Sequence, residues 1–548
     1  MERKWWHDAI FYQIWPRSFC DSNGDGIGDI QGIISKLDYL KDLGITGLWL
    51  SPVYPSPNND YGYDISNYKD VHPEFGTLDD MKELFKEAKK RGIHIIMDLV
   101  VNHTSSEHTW FKQALSDPNS KYRDYYVFKQ GKKTRKGKVK PPNNWQSFFM
   151  GPAWSYIPEQ DIWYLHLFDK SQPDLNWRNP AVYEEVADVL RFWLDLGAAG
   201  FRCDVINLIW KDSFDNGKRR PYLQGTEHYL SRPGSHELLR RLYKEVFEPY
   251  DAFTVGETSN VTLEAAKLYT DEQLTTVFPF EHMEADSRIL PIFKKKFKPK
   301  HLIKILHKWQ VNFNVDWGTL FFENHDQPRS ITRFGDAKNY HYESGSALAS
   351  ILLTLRGTPF VYQGEEIGML NYPFTSIDQI KDVTHIGVYN ILRDKYKFSR
   401  KTAFKLSLTI SRDHARTPVQ WDDSPHGGFT SGEPWLAVNP NYDVINVNKQ
   451  ISEEKSLLKY YQELGKLRNE SSALQVGTYE KVKSHSHIYA YKRKYENETI
   501  LVVVNLGKKQ VKAKFDLNGE LLLSNYDYSS KTPDLVYLKP YEARILRI

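Results

Sequence analysis

Cysteine is almost absent: the 548 residues hold two, Cys20 and Cys203. A disulfide framework or a cysteine zinc site needs more thiols at set spacings, so neither is supported. Long apolar runs are missing as well. Stretches such as Ile95 to Val101 and Ile351 to Leu355 fall far short of the ~20 residues a membrane helix requires, and no membrane partner is expected. Met1 to Asp8 carry charges with no apolar stretch behind them, so the expectation is a cytoplasmic protein without a secretory leader. Excess charge of one sign is also lacking. Lys plus Arg number 73 and Asp plus Glu 69, leaving +4. A nucleic-acid partner recognised by phosphate neutralisation would want a concentrated basic face, and none is expected. The basic runs Lys132 to Lys140 and Lys294 to Lys296 read as solvated loops.

Aromatics, by contrast, are abundant at 14%, with 15 Trp, 34 Tyr and 28 Phe. They suit either a large packed core or a surface on which sugar C–H faces stack, and composition leaves both open.

The chain alternates strand and helix signals. Ile10 to Pro16 reads as a strand, and apolar Ile33, Ile34, Leu37 and Leu40 as a helical stripe ended by Gly44. Ile45 to Pro52 is a second strand. Thr77 and Asp80 form a capping box ahead of Met81, Leu84, Phe85 and Ala88, and Ile93 to Val101 is an apolar strand of the buried parallel type. Asn179-Pro180 is an N-cap with proline at the first helical position, followed by Val182, Val186, Val189, Leu190 and Trp193, with Gly197 as the stop. Further strands are expected at Gly200 to Val205, Ala252 to Gly256, Thr276 to Phe280, Thr319 to Phe322 and Thr358 to Tyr362. About eight such units imply a closed (β/α)₈ TIM barrel. Residues 104–171 break the rhythm and read as an inserted subdomain after the third strand. From residue 476 the strands Ile488 to Tyr495, Thr499 to Leu506, Val511 to Leu517 and Ala543 to Ile548 predict a C-terminal antiparallel β-sandwich. The barrel would then comprise 1–103 and 172–475.

In a barrel the chemistry sits at the C-terminal strand ends. Those ends carry Asp98 with Asn102-His103, Arg202 with Asp204, Glu257, and His325-Asp326. An acid after a strand is often a helix cap, and Arg202 could serve structure alone. Four strands that each end in an ionisable group are costly to bury unless the groups are used. The set suits a metal hydrolase or glycoside cleavage by a carboxylate pair. No close histidine spacing of the H-E-x-x-H kind occurs, which favours glycoside cleavage.

At these residues the chain resembles the α-amylase family of retaining glycosidases, in its oligo-1,6-glucosidase branch. The segments are Asp98-Leu-Val-Val-Asn-His103, Gln172-Pro-Asp-Leu-Asn-Trp177, Gly200-Phe-Arg-Cys-Asp-Val-Ile-Asn207, Thr254-Val-Gly-Glu257 and Phe322-Glu-Asn-His-Asp-Gln-Pro-Arg329. Tyr61-Gly-Tyr-Asp64, Gln363-Gly-Glu-Glu-Ile-Gly368 and Ala415-Arg-Thr-Pro-Val-Gln-Trp-Asp422 extend the match along essentially the whole chain. The resemblance implies Asp204 as nucleophile, Glu257 as general acid/base and Asp326 as the acid gripping the sugar. It implies that His103 and His325 hold hydroxyls, that Arg202 keeps Asp204 ionised, and that Asp60, Tyr63 and Arg412 line the closed end. A cation beside Asp204 is expected to lower its pKa, and a second carboxyl to raise that of Glu257.

The loop Asp21-Ser-Asn-Gly-Asp-Gly-Ile-Gly-Asp29 places oxygen ligands at alternate positions, as Ca²⁺ loops do, but position twelve is Gly32 rather than a bidentate Glu. A plain Asx-rich turn is the alternative reading of the same residues. The resemblance implies a structural Ca²⁺, or Mg²⁺, on Asp21, Asn23, Asp25, Asp29 and the Ile27 carbonyl. No organic cofactor is expected. Oligosaccharides are the expected partners of a monomer or weak oligomer.

Val205, after the nucleophile, matches members that cleave α-1,6 bonds. A trehalose-6-phosphate hydrolase is the nearest competitor, with Lys218-Arg-Arg220 as conceivable phosphate ligands, although Pro173 and Glu323 depart from its pattern. An α-1,4- or sucrose-active α-glucosidase is a further alternative. Gln327 departs from the sucrose isomerases, and retention of all three acids argues against an inactive binding subunit. Cys203 reads as a small buried hydrophobe.

Overall fold

Strands that are apolar and buried on both faces belong in a parallel sheet covered by helices, and eight such strands run through the catalytic part of the chain. They are β1 Phe11–Ile14, β2 Gly47–Leu50, β3 His94–Leu99, β4 Gly200–Cys203, β5 Phe253–Glu257, β6 Thr276–Phe278, β7 Thr319–Leu320 and β8 Thr358–Tyr362. This computed structural model describes residues 3–135, 137–288, 292–313, 317–513, 519–528 and 537–548. The strands pair in parallel in the order β6-β5-β4-β3-β2-β1-β8-β7. Two threonine hydroxyls bridge the remaining seam: Thr276 Oγ1 donates to Trp317 O at 2.7 Å and Thr319 Oγ1 to Val277 O at 2.9 Å. The result is a TIM barrel.

The helices start and stop on local chemistry. Helix Leu78–Lys90 opens with a reciprocal capping box in which Asp80 N donates to Thr77 Oγ1 and Thr77 N to Asp80 Oδ2. Its buried stripe is Met81, Leu84, Phe85 and Ala88, and burial of each large member contributes about 1.5–3 kcal/mol. Helix Pro180–Leu196 is capped by Asn179 and closed by Gly197 at φ 116°, a left-handed position that favours glycine. Its last turn leads directly to β4 and hence to Asp204.

Several boundaries differ from expectation. The stripe from Ile33 to Leu40 is two helices, Ile30–Ser35 and Leu37–Asp42, separated where Lys36 leaves helical dihedrals. β7 stops at Leu320 rather than Phe322. The Phe321 carbonyl is taken by His282 Nε2 at 2.6 Å instead of a strand partner, which frees the chain to turn towards Asp326.

Between β3 and β4 lie helix Thr109–Ser116 and a small sheet of Phe128–Lys129, Ile162–Leu165 and Trp154–Ile157. The C-terminal antiparallel sheet runs Thr478–Lys481, Ile488–Tyr495, Glu498–Asn505, Ala543–Arg547, Glu520–Ser524 in pairing order. Its first and last strands have too little alternation to be read from sequence. Of the expected strand Val511 to Leu517, Val511–Lys512 pairs with Tyr537–Leu538 and residues 514–518 lie outside the described residues. Buried Arg493 joins this sheet to the barrel by donating to the Thr354 carbonyl at 2.7 Å, and Arg468, on helix Leu457–Glu470, donates to the carbonyls of Leu353 and Gly357 at 2.9 and 2.7 Å. Leu353 and Thr354 end helix His341–Thr354, where the last carbonyls have no intrahelical donors left, and Gly357 follows it. Among the described residues no helix is long and apolar enough to cross a membrane.

Candidate active site

Parallel pairing brings Arg202 on β4 between Asp98 on β3 and the end of β5. Its Nη1 donates to Asp98 Oδ1 and to Asp204 Oδ1, both at 2.7 Å, and its Nη2 donates to Glu257 Oε2 at 2.5 Å. Asp98 is held further by Tyr63 OH at 2.9 Å and Trp49 Nε1 at 3.1 Å. Asp204 is followed by Val205 at φ 36°, ψ 37°. A β-branched residue is disfavoured there, so the turn that presents the nucleophile candidate carries local strain.

A second arginine organises the opposite wall. Arg412 Nη2 donates to Asp60 Oδ1 at 2.9 Å, and Nη1 stands 3.6 Å from Asp326 Oδ1. Arg416 Nη2 donates to the same Asp326 oxygen at 2.9 Å. Gln172 Nε2 reaches Asp60 Oδ2 at 3.1 Å. His325 stacks on Tyr63, with ring centroids 5.1 Å apart and planes 7° from parallel. Its Nδ1 is 2.8 Å from Gln13 Nε2, an amide donor, which puts the imidazole proton on Nε2, 3.3 Å from Asp326 Oδ2. His103 Nε2 donates to Tyr63 O at 2.9 Å, and its Nδ1 faces Asn102 Nδ2 at 3.4 Å.

Burial and charge divide the acids. Burial pushes the Asp204 carboxyl well above the usual carboxylate range. Arg202 pulls it down, but Glu257 and Asp98 push it up again. Arg202 acts in the expected direction, but one guanidinium faces three carboxylates and burial outweighs it. Burial likewise raises Asp98 to about 6 in spite of Arg202. For Asp326 burial also opposes ionisation, yet the adjoining His325 ring together with Arg412 and Arg416 outweighs it and holds the carboxyl well below its ordinary value. Burial keeps His325 and His103 neutral by lowering both. Burial thus opposes ionisation of Asp204 and Asp98 on one wall, whereas Asp326 on the other is held ionised.

All nine expected pocket residues thus meet in one network. The sequence reading gave no role to Arg416 or Gln172, though both stand inside quoted segments. Asp382, which holds Arg412 Nε at 2.7 Å, had no signal beyond a capping residue before an apolar run. Arg220 is engaged locally by Thr226 Oγ1 at 2.7 Å and Glu227 at 3.5 Å. Cys203 is fully buried. In the 21–29 loop Asp21 Oδ1 accepts from Asn23 N and Gly24 N at 3.0 and 2.8 Å, Asn23 Oδ1 from Asp25 N and Asp25 Oδ1 from Ile27 N at 2.9 Å each, and Asp29 caps Ile30–Ser35. Among the described residues no three His, Cys, Asp or Glu side chains gather as a metal cluster.

Comparison with known proteins follows the same division of the chain. Residues 13–477 match the family described as alpha amylase, catalytic domain, and residues 488–545 the alpha-amylase SusG C-terminal domain. An oligo-1,6-glucosidase of Parageobacillus thermoglucosidasius is 45% identical and one of Bacillus cereus 44%, each with both chains covered completely. A trehalose-6-phosphate hydrolase of Bacillus subtilis is 41% identical over 99% of this chain and 98% of its own. Among solved structures, isomaltulose synthase from Klebsiella sp. LX3 superposes over 100% of both chains with TM-score 0.95 at 39% identity. With the barrel matched from β1 onwards and full-length kin at these identities, the chain belongs to the α-amylase family.

Proposed function

We propose that the protein is a retaining, exo-acting α-glucosidase that hydrolyses α-1,6 bonds at the non-reducing end of isomaltose and short isomalto-oligosaccharides. The observation that carries the mechanism is the sharing of one guanidinium by Asp204 and Glu257, whose oxygens lie 2.7 and 2.5 Å from its two terminal nitrogens. Carboxyls that close belong to a double displacement. An inverting pair stands ~6.5–9.5 Å apart to admit a water. With the one proton of the pair on Glu257, the Asp204 carboxylate attacks the anomeric carbon while Glu257 gives that proton to the glycosidic oxygen, and the C–O bond to the leaving sugar breaks. Glu257 then takes a proton from water, which attacks the same carbon and releases Asp204.

Asp326, kept ionised by its arginines, grips sugar hydroxyls. His325 offers its Nε2–H beside it, and Asp60, Tyr63, His103 and Arg412 close the pocket around the terminal glucosyl unit, which supports exo action. Val205 and the oligo-1,6-glucosidase relatives support the α-1,6 preference. Against trehalose-6-phosphate hydrolysis, Arg220 is committed to Glu227 and Thr226. Comparison of kcat/KM on isomaltose, maltose, sucrose and trehalose 6-phosphate tests the substrate. Isomaltose must rank first, and fastest turnover of trehalose 6-phosphate would overturn the linkage while keeping the acids.

The all-oxygen donor set of Asp21, Asn23, Asp25, Asp29 and the Ile27 carbonyl suits a hard cation, so the same reading includes a structural Ca²⁺, with Mg²⁺ second. A thermal midpoint raised by Ca²⁺ and lowered by EDTA supports it, and indifference to both overturns it. Cytoplasmic location and a monomeric or weakly oligomeric state complete the reading.

A further inference from the structure

Each of the two pocket arginines is held by three carboxylates. Arg202 has Asp98, Asp204 and Glu257. Arg412 has Asp382 at 2.7 Å, Asp60 at 2.9 Å and Asp326 at 3.6 Å. On the first arginine, Asp98 does no chemistry and anchors the guanidinium. Asp382 occupies the equivalent place on the second.

Asp382 is fully buried and doubly bonded to Arg412. Its Oδ1 accepts from Arg412 Nε at 2.7 Å and its Oδ2 from the Arg412 backbone N at 2.9 Å. It also N-caps helix Val383–Asp394 by accepting from Thr384 N at 2.9 Å. The turn that carries it is pinned in turn: Lys381 N and Asp382 N donate to Asp413 Oδ2 at 2.7 and 3.0 Å. The Phe149 ring lies 5.2 Å from the guanidinium carbon. Each nitrogen of Arg412 therefore has a fixed direction, with Nε on Asp382, Nη2 on Asp60 and Nη1 towards Asp326. Charge-assisted bonds of this kind are the strong ones, and a planar guanidinium can satisfy three directions at once. Without the Asp382 charge, only Asp60 and Asp326 attract Arg412, and the 3.6 Å gap to Asp326 is free to close on an oxygen that the sugar needs.

We propose that Asp382 is a positioning residue of the glucosyl pocket, holding Arg412 so that it grips Asp60 and stays back from Asp326. The inference rests on the reading that Asp60, Asp326 and Arg412 hold a terminal glucosyl unit.

The test uses the full chain carrying Asp382→Asn, because asparagine keeps the shape and the N-cap acceptor while removing the charge. Glucose affinity is measured by calorimetry beside KM and kcat. The expected result is a Kd for glucose and a KM for isomaltose each raised about tenfold, with kcat within about threefold, the signature of lost ground-state binding. In an Arg412→Ala background the same change must add nothing further, since a residue acting through Arg412 is silent without it. Wild-type glucose affinity in Asp382→Asn, or an undiminished loss in the Arg412→Ala background, overturns the proposal. Arg412→Lys gives a second route if Asp382→Asn does not fold. It keeps the charge but loses the Nε contact, so unchanged glucose affinity there also overturns it. A wild-type enzyme that prefers another α-glucoside to isomaltose would refute the linkage reading alone and leave the glucose series to decide this one. A wild-type enzyme that binds no glucose refutes both.

Discussion

Asp204 and Glu257 meet on a single guanidinium, 2.7 and 2.5 Å from neighbouring nitrogens of Arg202. In the proposed mechanism each acid is indispensable for a different reason, one as the group that bonds to carbon and the other as the group that moves the proton. Asp204→Asn and Glu257→Gln should each lower kcat on isomaltose by about 10⁴-fold or more. Thermal stability should hold, because each change relieves a crowded buried carboxylate. Assay of both variants beside their melting curves checks this, and substantial activity in folded Asp204→Asn would contradict it.

Stability should fall on acidification. Burial lowers His7, His108, His282, His307, His385 and His414 to about 4 each. An unfolded imidazole with the ordinary value of about 6.5 takes up a proton that the folded one refuses. This contribution is therefore present above the unfolded value and lost as pH falls towards 4. Asp64, Asp98 and Asp413, raised by burial to about 6, act with the opposite sign, favouring the fold below that pH, but they are outnumbered. Melting temperature measured from pH 7.5 to 5 should decrease, and a flat or rising curve would contradict the account. His108→Asn, which keeps an acceptor for Trp110 N, should reduce the slope.

Lys211 is buried against Asp174 Oδ2 at 2.6 Å and Asn102 Oδ1 at 3.0 Å. Lys211→Met leaves the Asp174 charge uncompensated and should destabilise by about 3–5 kcal/mol. Urea unfolding measures the loss, and a change under about 1 kcal/mol would show that the pair is not needed.

Val205 is 6% exposed and packs with Trp145, Trp154, Leu165 and Tyr229, the wall between barrel and insertion. The proposed influence of Val205 on linkage therefore runs through the shape of that wall and the strained turn after Asp204. Val205→Ala should lower the isomaltose-to-maltose ratio of kcat/KM by about tenfold, within what one lost side-chain contact supplies. An unchanged ratio would separate this residue from linkage choice.

The barrel was legible in the sequence because buried parallel strands leave unbroken apolar runs, and because caps such as Thr77 and Asn179 mark helix starts chemically. The acids were legible because each follows such a run. The carriers of the second wall were less so. Arg416 and Gln172 sit in recognisable segments without a strand end to point to them, and Asp382 lies in a stretch whose meaning depends on Arg412, 30 residues away. The direction of the Asp204 shift could not be read either, since it depends on how many carboxylates share Arg202 and how deeply they are buried. Edge strand Thr478–Lys481 escaped because Tyr479 is its one buried side chain, and Glu520–Ser524 because Leu521, Leu522 and Leu523 run without alternation.

The most direct test of the central claim is a ¹H NMR time course of isomaltose hydrolysis, begun before mutarotation can mix the anomers. Double displacement by Asp204 and Glu257 predicts that the glucose released from the non-reducing end appears first as the α-anomer. First appearance of β-glucose would require single displacement by water and would contradict the assignment of Asp204 as nucleophile.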